Sequence, residues 1–200
     1  PVAVRTSGTF SPARATRPRP TCGTASTASR YAVSSSRRPR TIPLRPDPVE
    51  LHTALFEQLD SATLYRLLRL RVDVFVVEQH CAYPELDGRD AEPDAAHLWL
   101  TDGDNSAPLG YLRVLTEPDG AARIGRVAVA PAARGAGFAR QLMTAALTHI
   151  GERACILDAQ ANLVEFYRGL GFEVTGPEYL EDGIPHVPMW RAGRSAVDEE

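Results

Sequence analysis

The sequence predicts an α/β (α+β) domain in which a mixed, mainly antiparallel sheet of six to seven strands carries helices on both faces. Three observations predict it. The short runs "HLWLTD", "LGYLRVLT" and "ARIGRVAVA" follow one another across Asp/Gly/Asn/Pro turns, the pattern of an antiparallel meander. Stretches on either side of that meander repeat apolar residues at helical spacing. A later run, "ACILDAQ" (154–160), reads as apolar on both faces, as a buried central strand would.

Taken in order, "VELHTALFEQ" (49–58) is the expected first strand. "LDSATLYRLLRLRVDVFVVEQ" (59–79) then puts Leu64, Leu67, Leu68, Val72 and Phe75 on one face of a helix, with Asp60 or Ser61 as its cap. A polar loop follows (81–96), then the three meander strands. Phe138, Leu142, Ala146 and Ile150 line one face of a second helix, and "ACILDAQ" comes after it. "NLVEFYRGLGF" (162–172) is a short helix stopped by Gly169 and Gly171. "FEVTG" (172–176) and "HVPMWRA" (186–192) close the sheet, for an order β-α-β-β-β-α-β-α-β-β without internal repeats.

Two hundred residues suit one domain with its own core. The net charge of −3 hides a division. Residues 1–46 hold nine arginines and no Asp or Glu, while the rest hold 13 arginines against 25 acids, a net of −12. The segment 1–46 is also rich in Ser, Thr and Pro and poor in large apolar residues. It is expected to be a disordered extension, with an organelle transit peptide or a nucleic-acid-binding arm as the sharper readings. The domain itself is expected over 47–192, followed by an acidic tail at 193–200.

Composition excludes several classes. Every basic residue is arginine, so a lysine nucleophile or Schiff base is ruled out. No run of about 18–20 apolar residues could span a bilayer. Cys22, Cys81 and Cys155 are odd in number and widely spaced, which fits neither a metal set nor a disulfide framework. A reducing, cytoplasmic home is expected, with no metal, no membrane and no nucleic acid for the folded domain, as a monomer or homodimer.

The stretch between the third meander strand and the second helix is the informative one. "VAPAARGAGFARQLM" (129–143) packs Arg134, Gly135, Ala136, Gly137, Phe138 and Ala139 into a turn without an acid. A helix N-terminus has unpaired N–H groups and the positive end of a dipole. Glycines there turn successive N–H groups inward and leave room for an anion. The turn reads equally as a phosphate cradle or as a tight strand–helix connection with nothing bound. It is not a lysine-bearing P-loop, nor a three-glycine dinucleotide fingerprint.

"VAVAPAARGAGFARQLM" resembles the acyl-CoA-binding motif of the GNAT N-acetyltransferase superfamily, a hydrophobic strand followed by R-G-x-G-x-A. "FYRGLGF" (166–172) resembles that superfamily's second signature, F-Y-x-x-x-G-F. "LLRLRVDVFVVEQHCAYPELDGRD", "IGRVAV", "LDAQANLVEFYRGLGF" and "YLEDGIPHVPMWR" are similar to segments of its ElaA-like branch, so that the resemblance covers nearly all of 48–191. It implies a GNAT-type sheet and an acyl-CoA co-substrate, acetyl-CoA by default. It further implies a pyrophosphate held by the backbone of Arg134 through Ala139, a pantetheine arm along Val127, Ala128 and Val129, and a polar contact from Asn162.

On the same reading, acyl transfer goes to a small-molecule or peptide amine by direct attack in a ternary complex. Tyr167 is the candidate proton donor to the leaving thiolate and also touches the cofactor. Glu78 leads as general base, with His97, Glu181, Asp182 and His186 behind it. The acid-rich loop Glu85, Asp87, Asp90, Glu92 and Asp94 is either a solvated loop or a funnel for a cationic substrate. Arg113 and Arg126 pair with those carboxylates or meet an acceptor's negative group. Two alternatives stand beside the enzyme: an acyl-homoserine-lactone-synthase-like reaction, and a catalytically inactive module that binds acyl-CoA.

Overall fold

The computed structural model describes residues 48–193 apart from 82, 104 and 105. The extension 1–46 with Cys22, and the tail beyond Gly193, lie outside the described residues. The elements run β1 (Glu50–Leu55), α1 (Ser61–Arg71), β2 (Ala96–Thr101), β3 (Gly110–Thr116), β4 (Ala122–Val129), α2 (Phe138–Ile150) and β5 (Cys155–Gln160). They end with α3 (Val164–Arg168), β6 (Glu173–Val174), β7 (Tyr179–Glu181) and β8 (Ile184–Arg191).

These strands form one sheet in the order β1-β2-β3-β4-β5-β8-β6, with β7 paired to β8. Every pair is antiparallel except β4 with β5, whose parallel pairing requires the crossover helix α2. The fold class is the expected one, mixed and mainly antiparallel. It has eight strands rather than six to seven, because β7 is only three exposed residues long and carries no alternating pattern to betray it.

Helices cover both faces. Leu67, Leu70 and Val74 of the first helix meet Tyr111 and Ala128 on one face. Leu142, Met143, Ala146 and Ile150 of α2, with Tyr167 and Phe172, fill the other against Leu98, Leu112, Ile124 and Leu157. The strand enclosed from both sides is therefore β3, all but the last residue of which is buried. β5 was expected to be that strand, but it alternates. Cys155, Leu157 and Ala159 face the core, while Asp158 is exposed on the side that the first helix does not reach.

Asp60, not Ser61, caps α1, accepting from the N–H groups of Ala62 and Thr63 at 2.9 Å each. The helix keeps α geometry only to Arg71 and then widens into a π-helical turn over Val72–Glu78. Its buried stripe is Leu67, Leu70, Arg71 and Val74, turned slightly from the expected face, of which Leu67 is buried and Phe75 packs against the same cluster while Leu64, Leu68 and Val72 stay half-buried. The difference is Arg71, a charge that enters the core because carboxylates await it there.

α2 approaches β3 very closely at one glycine. A Cβ on Gly110 would lie 2.9 Å from Leu142 Cδ1 and 3.2 Å from the Ala128 carbonyl oxygen. Leu142→Ala should therefore lower stability by about 2–5 kcal/mol, read as a fall in the urea midpoint at unchanged m-value. Gly110→Ala should destabilise on its own and offset part of that loss in the double variant, because the added methyl enters the space Leu142 vacates.

Candidate active site

The geometry of the site begins where β4 leaves β5. The two strands pair only at Ala122 with Cys155 and Arg123 with Ile156. Beyond that point β4 keeps its other neighbour, β3, through a register shift between Tyr111 and Arg113, a bulge with Arg126 at φ 56°. Past the bulge, the Ala130 N–H bonds to Leu109 of the β3 side at 2.9 Å. Strand alternation then turns the main-chain groups of Val127 and Val129 to the opposite edge, facing the gap toward β5. Ala128 points back to β3, and its side chain is buried under the first helix.

At the end of that edge lies the glycine turn. Gly135 and Gly137 have φ 81° and 84°, and a Cβ added to either would meet nothing within 4 Å. Glycine is thus needed for the backbone conformation, and the space before the turn is open. Among the described residues no acceptor takes the N–H groups of Gly135, Ala136, Gly137, Phe138, Ala139 or Arg140; the first bond of the helix is from Gln141 to Gly137. Unpaired donors at the positive end of a 13-residue helix, with room before them and no acid among them, fit a phosphate-bearing group.

α3 stands beside the turn, since the Arg140 guanidinium lies 5.6 Å over the Phe166 ring. The Tyr167 ring packs edge-on against Phe166 and Phe172, 6 % exposed. Its hydroxyl has no hydrogen-bond partner among the described residues, and burial alone pushes its pKa up to about 12. It is a protonated phenol across the neutral range. Asn162 is exposed in the single 3-10 turn that ends β5.

Glu78 reaches the same turn from the opposite face of the sheet. Its carboxylate receives both terminal nitrogens of Arg134 at 2.7 and 2.8 Å, and that bidentate bond lowers its pKa. Arg134 also donates through Nε to the Val129 carbonyl at 3.2 Å, so its side chain crosses the open edge. One residue on, Gln79 accepts from the Gln160 amide at 3.2 Å and ties the end of the first helix to the end of β5. The β7–β8 hairpin closes the other side. Burial pushes the Cys81 thiol up, and the charges of Asp182 and Glu181 add to it. His186 is committed to the Ile184 carbonyl at 2.9 Å.

The acidic loop is divided: Glu85 and Asp90 are buried and Glu92 is half-buried, while Asp87 and Asp94 are exposed. Arg71, fully buried, donates to Glu85 at 2.5 Å and Asp90 at 2.6 Å, and Arg113 to Asp87 and Asp90 at 2.7–2.8 Å. Burial pushes Asp87 and Asp90 up, but guanidinium donors and charge outweigh it and hold both carboxyls below the usual range. His97 lies within this network, bonded to the Tyr111 hydroxyl at 2.7 Å and the Asp90 carbonyl at 3.1 Å, and burial lowers its pKa. It is committed to structure rather than to substrate.

The acetyltransferase (GNAT) domain family matches residues 70–192. The chain belongs to that family. It is 47% identical over 145 residues to the UPF0039 protein Rv2851c of Mycobacterium tuberculosis, covering 71% of this chain and 92% of the relative. An acyl-CoA N-acyltransferase from Pseudomonas aeruginosa superposes with a TM-score of 0.68 at 41% identity, covering 72% of this chain and all of that one. Escherichia coli ElaA superposes with a TM-score of 0.68 at 36% identity, covering 72% and 99%. The protein is thus a GNAT acyltransferase of the ElaA-like branch.

The expected pairing of Arg113 and Arg126 with the loop carboxylates is what the structure shows. Sequence reasoning missed Arg71, whose available signal was a charge on an otherwise apolar helix face. Glu78–Arg134 and Gln79–Gln160 left none, because each joins residues 56 or 81 positions apart. Among the described residues no helix is long and apolar enough to cross a membrane, and no His/Cys/Asp/Glu group could hold a metal.

The network gives stability a defined pH dependence. His97 binds its proton less readily when folded, so its contribution is complete above the ordinary value of 6.5 and is lost as pH falls below it. Asp87 and Asp90 are depressed below 3.8, so theirs is complete above that value and lost below it. Urea midpoints followed downward from about pH 8 should descend in two stages. His97→Gln should flatten the first and Asp87→Asn the second.

Proposed function

We propose that the protein transfers an acyl group, acetyl by preference, from an acyl-CoA thioester to a primary amine of a small molecule or peptide, by direct attack in a ternary complex. One observation carries this reading: the turn offers the unpaired N–H groups of Gly135 through Ala139 at the end of a strand edge that has lost its strand partner. A thioester donor needs both features at once, an anion cradle and an extended edge for an amide-bearing arm. When bound, that donor supplies an acyl carbon activated by a good leaving thiolate.

The chain's own residues then have separable roles. The backbone of Arg134 through Ala139 holds the diphosphate, and the outward main-chain groups of Val127 and Val129 hold the arm, with Asn162 adding a polar contact. The phenol of Tyr167 donates a proton to the departing sulfur. The phenol is protonated at neutral pH with or without the burial that raises its pKa, so it enters the step as a donor. Glu78, the carboxylate that Arg134 holds beside the turn, takes the proton of the acceptor's ammonium directly or through water. Bringing amine and thioester together supplies much of the remaining rate. Two unpaired buried thiols, Cys81 and Cys155, suit a cytoplasmic setting.

Calorimetric titration with acetyl-CoA, followed by thiol release against a panel of amines, tests the reading. Gly137→Glu should abolish saturable binding, through bulk, lost φ freedom and like charge; retained affinity would sink the cradle. Tyr167→Phe should lower turnover on the order of 100-fold with affinity nearly unchanged. Undiminished turnover would assign the proton to another group, and binding without release for any amine would favour a non-catalytic acyl-CoA module.

A further inference from the structure

Arg126 is the one non-glycine residue within a described strand that has a positive φ; His80 and Asp182, the others among the described residues, belong to turns. An L-residue with a long side chain does not choose that conformation unaided. It sits at the bulge, one residue before Val127, where β4 changes the edge on which its main chain is exposed. What holds it is its own side chain. Nε lies 2.9 Å from Glu85 Oε2, an ion pair out of line for a hydrogen bond, and a terminal nitrogen lies 3.3 Å from Asp87 Oδ2. The guanidinium also stands 5.4 Å over the Tyr83 ring.

All three partners belong to the short loop between the first helix and β2. That loop cannot follow Arg126 if the strand relaxes, because Arg71 and Arg113 pin the same carboxylates to the first helix and to β3. The tether therefore runs from a fixed loop to the single backbone position that aims the open edge. Arg126 is not available to an acceptor's negative group, since two carboxylates already share it.

We propose that Arg126 is a positioning residue: its tether to Glu85, Asp87 and Tyr83 holds the β4 bulge so that the main-chain groups of Val127 and Val129 face the pantetheine arm of the acyl donor. The inference rests on the donor site proposed above. It separates the donor into two halves. The nucleotide half meets the glycine turn, which Arg126 does not touch, whereas the pantetheine half meets the edge that it sets.

The experiment is a pair of titrations on the full chain, with coenzyme A and with adenosine 3′,5′-bisphosphate, which lacks the pantetheine arm. Arg126→Gly is the main variant, since glycine keeps the backbone conformation accessible while deleting the tether. It should weaken coenzyme A on the order of tenfold, the equivalent of one or two hydrogen bonds, and leave the bisphosphate within about twofold. Arg126→Lys, which retains a cation near the carboxylates, should lose less. A parallel loss of both ligands, or no loss of either, in a variant with the wild-type circular dichroism spectrum overturns the inference. Should Arg126→Gly not fold, Arg126→Lys carries the same comparison. Wild-type protein that takes up neither ligand overturns the donor reading itself, an outcome separate from the two above.

Discussion

A parallel strand pair that hydrogen-bonds for two residues and then separates is the constraint around which the domain is arranged. Parallel pairing imposes the crossover, so α2 must start just beyond β4 and deliver its unpaired N–H groups to the mouth of the gap. Separation leaves β4 without a strand partner on one side, a condition folded proteins avoid unless something else satisfies it; there the Arg134 side chain takes the Val129 carbonyl. The bulge decides which residues bear that exposure. Turn and edge thus share one location because one departure from regular sheet geometry creates both.

The buried charges explain why the departure is tolerated. Removing Arg71, Arg113, Glu85 and Asp90 from water is costly, and their mutual attraction does little more than offset it. Burial of this kind is weak evidence for stability and better evidence for a fixed geometry, because every guanidinium has more than one partner and every partner is shared. The loop before β2 has almost no regular structure of its own. It is ordered by charge, where β2 and β3 are ordered by apolar packing.

The sequence conveyed the sheet class, the meander and the second helix because those depend on local periodicity. Asp60 and the glycine turn were legible for the same reason, each acting within a few residues. β5 was misjudged because Ala154, Cys155 and Ile156 make three apolar neighbours in a row, and only the placement of the first helix leaves one face open. The π-helical turn was invisible, since Val72–Glu78 has an apolar pattern that an α-helix would share. The pairing of Glu78 with Arg134 needs the chain folded to be seen at all. The acidic loop misled in a different way: counting its carboxylates gives a field, whereas their partners, contributed by α1, β3 and β4, turn that field inward.

Every cation around the cleft and the network beneath it, from Arg71 to Arg134, is a guanidinium, as is every basic residue of the chain. A guanidinium stays protonated at any pH the fold survives and is a very poor nucleophile, so the lining can bind and orient without being consumed. An ammonium is a compact charge whose pKa shifts readily on burial and whose neutral form is a nucleophilic amine. A nucleophile the chain does carry, the Cys81 thiol, has its pKa pushed up first by burial and then by the charges of Asp182 and Glu181. The domain is in this sense built to handle an acylating agent without acylating itself.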